Sequence, residues 1–213
     1  MKPSELIIFD LDGTLVDSNA DLLASVNHVR TRFSLAPLDG DAIRAMIGDG
    51  AEMLVRRALG GDVAEGAVQD GLREFLSYYR EHMLDQTGLY PGVVETLDAL
   101  SDYKLAVLTN KPWRFSCLML EGLGIFGRFS AVYGGNSFSE KKPDPVGIHQ
   151  ILADTTSSSE RTWMVGDSSV DVLTGRNAGV RTCGVTYGYA PHTFEHHPPD
   201  VRIDRFEELT RFV

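Results

Sequence analysis

Aspartates recur where short apolar runs stop. Asp10 and Asp12 follow the run at 6–9 within Asp10-Leu11-Asp12-Gly13-Thr14, and Asp167 follows the run at 163–165, with Asp171 one helical turn further on. Between them in the chain, Thr109, Asn110 and Lys111 end the run at 105–108, and Lys141, Lys142 and Pro143 lie beyond the run at 131–133. Gathered at one edge, the four carboxylates resist joint ionisation unless a cation intervenes. Oxygen-only ligands, with no His or Cys in the set, favour Mg²⁺ over zinc, and Mg²⁺ typically keeps waters and binds substrate phosphate. Asp10 and Asp12 then divide two roles, one nucleophile and one proton donor and acceptor. A carboxylate nucleophile that forms an aspartyl phosphate splits ester hydrolysis into two proton-coupled steps. Thr109, Asn110 and a lysine are the groups to bind the transferring phosphoryl oxygens, where most of the catalysis of phosphoryl transfer resides.

This chemistry requires the apolar runs to be strands of one sheet. Leu6, Ile7, Ile8 and Phe9 form a continuous apolar stretch, as in a strand buried on both faces. Similar runs at 105–108, 131–133, 163–165 and 182–186 alternate with helical patterns after Pro91, Pro112 and Pro145 and before Gly179. Strands and helices of this length in alternation predict right-handed crossovers and a parallel sheet covered on both faces. Ligands of such sheets bind at the carboxyl ends of the strands, where the aspartates stand.

The alternation breaks between Asp17 and Gly88, a stretch with no strand pattern. Ser18 and Asp21 read as a capping pair for a helix with Leu22, Val26, Val29 and Phe33 on one face. Further helices are expected over 41–47, over 51–59 with Leu54, Val55 and Ala58 inward, and on Val68, Leu72, Phe75, Tyr79 and Met83. The expected architecture is α/β: a Rossmann-like parallel sheet core, residues 1–16 and 89–213, carrying an inserted four-helix unit at 17–88.

The chain has 213 residues, enough for one domain with such an insertion and too few for a large multidomain assembly. Its 43% hydrophobic and 23% charged residues are ordinary for a globular protein. Thirty acidic against twenty basic residues give a net charge of −10, which disfavours nucleic acid and anionic membranes as partners. No apolar stretch approaches the ~20 residues of a membrane span, so a cytoplasmic protein is expected. Cys117 and Cys183 read as reduced structural thiols, Lys111 and Lys141 as solvated charges, the six histidines as surface or packing groups, and Trp113 and Trp163 as packing groups. Thr14 reads equally well as a turn former or as support for the site, and 192–200 as an irregular surface loop.

Phe9-Asp10-Leu11-Asp12-Gly13-Thr14-Leu15, Thr109-Asn110, Lys142-Pro143-Asp144-Pro145 and Gly166-Asp167-Ser168 with Asp171 resemble the four motifs of the haloacid dehalogenase superfamily, over nearly the whole chain. The resemblance implies Asp10 as nucleophile, Asp12 as general acid and base, and Thr109 and Lys142 as phosphate-binding residues. It also implies Mg²⁺ held by Asp10, the main-chain carbonyl of Asp12 and Asp167, with Asp171 a ligand or the partner of one. The inserted helices are similar to the cap of the phosphoglycolate phosphatase and β-phosphoglucomutase branch. Ile47-Gly48-Asp49-Gly50, Gly134-Gly135 and Thr186-Tyr187-Gly188-Tyr189 are similar to the phosphatases in particular, whereas Asn136 departs from the acidic residue that often follows the paired glycines. The implied activity is hydrolysis of a small phosphate ester, 2-phosphoglycolate first among candidates, by a monomer or dimer. A phosphomutase is the alternative enzyme and an Asp-phosphorylated signalling module the alternative of another class. Dehalogenation does not require the acid and base that Asp12 supplies.

Overall fold

The computed structural model describes residues 5–213; positions 1–4 of the expected core lie outside them. The chain runs β1 (Leu6–Phe9), β2 (Val16–Asp17), α1 (Asn19–Arg32), α2 (Gly40–Arg44), α3 (Ala51–Ala58), α4 (Glu65–His82), β3 (Gly88–Leu89), α5 (Val93–Ala99) and β4 (Lys104–Leu108). It continues through α6 (Trp113–Gly122), β5 (Ala131–Tyr133), α7 (Val146–Thr155), β6 (Thr162–Gly166), α8 (Ser169–Asn177), β7 (Arg181–Val185) and β8 (Val201–Ile203).

Six strands form one parallel sheet in the order β5-β4-β1-β6-β7-β8. The chain leaves β1 toward β4 and β5 and later returns to its other side at β6, which makes the carboxyl end of β1 the switch point where such sheets bind ligands. Period-two alternation sends Ile7 and Phe9 into a core with Leu97, Met119 and Phe206, and Leu6 and Ile8 into a second core with Ile148, Ile151 and Ala178. Both faces are thereby covered, which explains why these strands are apolar without interruption.

Between β2 and β3 the chain forms only helices. α1 packs on α2, α3 and α4, and α3 packs on α4, burying Val26, Leu54, Val55, Phe75 and Tyr79. Their apolar cluster is continuous with that of the Phe9 face of the sheet. β2 and β3 pair antiparallel, Val16 with Leu89 and Asp17 with Gly88, at the two ends of the helical stretch. The expected helix at 41–47 is shorter, ending at Arg44.

One expectation needs correction here. Ser18 and Asp21 do not form a capping pair, because each is claimed elsewhere. The Ser18 hydroxyl donates to Asp12 Oδ1 at 2.6 Å, while Asp21 accepts from the N–H groups of Gln86 and Thr87 and, at 2.7 Å, from the Thr87 hydroxyl. Asp21 therefore ties the outgoing joint to the returning one. β8, which no apolar run announced, follows the surface segment at 192–200 and joins the sheet beside β7. It is three residues long with a charged centre, Arg202, and so carries no apolar run.

Candidate active site

Asp10, Thr109 and Asp167 each occupy the first position after a strand: β1, β4 and β6 respectively. The in-register pairing of Phe9 with Val107 and Val165 brings these ends together. Lys142 arrives from the loop before α7 and puts its Nζ 2.9 Å from Asp10 Oδ1 and 2.6 Å from Asp171 Oδ1. Its ammonium is almost fully buried; burial pulls its pKa down, but Asp10 and Asp171 more than offset that, so it stays a cation.

Ligand oxygens of Asp10, Asp167 and Asp171 lie within 4.8 Å of one another. Burial, with Asp171 adding repulsion, raises Asp10 to about 6 against the pull of Lys142, and burial followed by repulsion from Asp171 and Asp10 raises Asp167 to about 8. Asp10 Oδ1 is buried without an aligned hydrogen bond. Hard oxygen donors crowded together, three carboxylates against one ammonium, fit a divalent cation such as Mg²⁺. Asp171 is the least available of the three: Oδ1 is on Lys142, and Oδ2 accepts from the Ser168 hydroxyl and N–H in the capping box of α8. Asp167 Oδ2 accepts from the N–H groups of Tyr189 and Ala190, which leaves Oδ1 as its free donor. The backbone presses close around this carboxylate. Gly13, at φ +83°, and Gly188 both lie where an added Cβ would collide with Asp167.

Asp12 stands apart from that cluster. Its oxygens take 3.0 and 3.1 Å bonds from Lys111 Nζ in addition to the Ser18 hydroxyl. Lys111 is thus not a solvated charge: it is 7% exposed, and its third partner is the Tyr79 hydroxyl of α4 at 2.7 Å. Lys141 is exposed, as expected. Asn110 spends its carboxamide on main chain, accepting from Lys142 N–H at 3.0 Å and donating to the carbonyls of Lys142 and Gly48. It holds the Lys142 loop against the β4 end and reaches the segment before α3. The Thr109 hydroxyl accepts from Lys111 N–H at 3.3 Å.

Around these groups lies a cleft of about 740 Å³, partly open to solvent, between the strand ends and the helices. Asp10, Asp12, Thr109, Asn110, Lys142 and Asp167 all line it; Asp171 lies behind Asp10 and Lys142. Tyr79 and Ser18 were legible only as core and cap residues, and Tyr189 only through the resemblance of Thr186-Tyr187-Gly188-Tyr189. The Tyr189 hydroxyl accepts from Ser18 N–H at 2.7 Å, so it steadies the residue that steadies Asp12. Asn136 accepts from the N–H of Trp113 at the start of α6, which gives the departure at this position a structural use. Thr14 serves the turn, its N–H bonded to Leu11 and its carbonyl to the Tyr187 hydroxyl. Cys117 and Cys183 are free thiols. Trp163 is buried as expected, but Trp113 is 49% exposed. No cluster of metal-ligating type among the described residues includes a histidine, and no described helix is long and apolar enough to cross a membrane.

A phosphoglycolate phosphatase of Agrobacterium fabrum is 40% identical over 212 residues, covering 97% of this chain and 91% of that protein. One of Colwellia psychrerythraea is 35% identical over 98% of this chain and 96% of its own. Among solved structures, a predicted phosphoglycolate phosphatase of Haemophilus somnus superposes with a TM-score of 0.94 at 34% identity, covering 99% of this chain and 98% of that one. The haloacid dehalogenase-like hydrolase family matches residues 7–185, from the first sheet strand through the fifth, and the chain belongs to that family.

Proposed function

We propose that the protein is a Mg²⁺-dependent phosphatase that hydrolyses 2-phosphoglycolate through an aspartyl phosphate on Asp10. One observation carries the reading: a carboxylate at the switch point of the sheet is ion-paired to a buried lysine while a second carboxylate stands two residues away. Relatives named phosphoglycolate phosphatase at 35–40% identity over most of the chain support the substrate.

An Asp10 oxygen attacks phosphorus, the ester P–O bond breaks, and Asp12 gives its proton to the departing alkoxide. Water then attacks the phosphoryl group, Asp12 takes its proton, and the bond to Asp10 breaks to release inorganic phosphate. Lys142 and Thr109 hold the equatorial phosphoryl oxygens, and Asn110 fixes the loop that delivers Lys142. Asp10, Asp167 and the Asp12 carbonyl, with Asp171 behind them, would hold Mg²⁺, which would supply the charge that lets an anionic ester approach four carboxylates. Residues 17–88 are the cap domain over a core of 1–16 and 89–213. The β2–β3 pair is its hinge, and its helices close the cleft against water.

Asp10→Asn keeps the side-chain shape and removes the nucleophile. With Mg²⁺ and 2-phosphoglycolate its turnover should fall at least ~10³-fold with the circular dichroism spectrum unchanged. Near-normal turnover would sink the mechanism. A parallel screen of 2-phosphoglycolate, hexose phosphates, nucleotides and pyrophosphate tests the substrate.

A further inference from the structure

The walls of the cleft differ in character. The segment between β2 and β3 contributes Leu22, Ile47, Ala51, Leu54, Phe75 and Leu76, and the one polar side chain it adds among the described residues is Tyr79. The sheet edge contributes two cations, Lys111 and Lys142. Lys142 is committed to Asp10 and Asp171 at the phosphate end. A substrate whose phosphorus sits at Asp10 therefore directs its remaining atoms toward an apolar wall with one cation, Lys111, available to them.

Lys111 is built to hold an anion there. An ammonium has three donors, and its partners are both oxygens of Asp12 and the Tyr79 hydroxyl. The two bonds to a single carboxylate are the pair that an incoming anion can divide with Asp12, leaving each carboxylate one donor. The Tyr79 hydroxyl, from the opposite wall, keeps Nζ in place during the exchange, and the Tyr79 ring passes beneath it, 4.7 Å from Nζ to the centroid. A neutral polyol finds few partners on this wall, since every hydroxyl it buries against leucine and phenylalanine loses a hydrogen bond to water. A cationic tail meets Lys111 directly.

We propose that Lys111, braced by Tyr79, is the specificity-determining anion subsite for the non-phosphate end of the substrate, selecting small phosphomonoesters that carry a carboxylate. The inference rests on the phosphatase reading and names what that reading leaves open, the residue that distinguishes one ester from another.

The test compares three esters of similar size in the presence of Mg²⁺: 2-phosphoglycolate, ethyl phosphate and 2-aminoethyl phosphate, whose tails are anionic, neutral and cationic. For the unaltered protein kcat/KM should fall in that order, with the carboxylate worth about 10- to 100-fold over ethyl phosphate. In Lys111→Met that advantage should shrink to within about threefold, mainly through KM for 2-phosphoglycolate, while Lys111→Arg should retain part of it. Equal kcat/KM for the three esters with the unaltered protein overturns the subsite, and this measurement needs no variant to fold. Equal losses on all three in Lys111→Met also overturn it, leaving Lys111 as a support for Asp12 alone. Failure of the unaltered protein to hydrolyse any of the three overturns the phosphatase reading itself, a result distinct from turnover without preference.

Discussion

Lys142 and Lys111 each bind a carboxylate of the first motif, so the two buried cations divide the site between them. Removing Lys142 leaves Asp10 and Asp171 facing one another without a counter-charge. Lys142→Met should cost about 3–5 kcal/mol of stability in the metal-free protein by urea unfolding at neutral pH, and should recover part of that with Mg²⁺. The two outer aspartates should also separate. Asp167 has an oxygen to offer, whereas both oxygens of Asp171 are engaged. By calorimetric titration Asp167→Asn should lower Mg²⁺ affinity more than Asp171→Asn, whose loss should stay within about 10- to 100-fold. Equal losses would make Asp171 a direct ligand. The residues at strand ends were legible because a polar residue that terminates an apolar run has few places to go. Burial of Lys111 was not, since nothing in the order Thr109-Asn110-Lys111 announces a hydroxyl arriving from Tyr79, 32 positions away.

The joints between the helices and the sheet are short, and side chains secure what two-residue strands cannot. Asp21 accepts main-chain bonds from Gln86 and Thr87 with the Thr87 hydroxyl added, all from the returning joint. Asp21→Ala strands these donors and should destabilise the protein by about 2–4 kcal/mol in urea unfolding. A change of less than about 0.5 kcal/mol would show that the joint does not depend on it. Asp21 belongs to α1 and its partners lie beyond α4, a separation that helical periodicity alone cannot bridge. Helical periodicity did locate α1, α3 and α4, because their apolar faces bury against one another. It misassigned Ser18 and Asp21, whose spacing satisfies a capping rule that tertiary partners override. β2, β3 and β8 are two or three residues long, too short for any period to register.

Across the whole molecule, a net charge of −10 and a substrate that is itself an anion meet at a site where carboxylates outnumber lysines. The consequence is a dependence of stability on pH that a metal reverses. Asp10 and Asp167 are raised in the folded protein, to about 6 and about 8, from an ordinary 3.8. Between those limits the metal-free folded state keeps protons that the unfolded chain has released, so its stability falls as pH rises. The melting temperature of chelated protein should therefore decline from pH 5 to pH 8, and saturating Mg²⁺, which favours the ionised carboxylates, should remove the decline. A flat chelated profile would show that the cluster is not strained. The α/β class and the inserted helices were legible from alternation and from its interruption. The continuity of the helical cluster with the Phe9-face core was not, because it joins Phe115 of α6 to Tyr79 of α4, rings 5.7 Å apart from segments that the chain order separates.

The tryptophans divide along the same boundary. Trp163 is fully enclosed in β6, with the Arg181 guanidinium 3.9 Å from its ring, one strand-length from Asp167. Trp113, half exposed, begins α6 beside Pro112, which lines the cleft. An indole in water emits at longer wavelength than one in a dry interior, so a single emission spectrum carries two separable signals. The red component should report the exposed start of α6, where the indole N–H donates to the Val132 carbonyl, and the blue component should persist until the sheet itself opens. The protein thus contains its own pair of optical reporters, and local opening at α6 and unfolding of the sheet should be separable in one cuvette without a label.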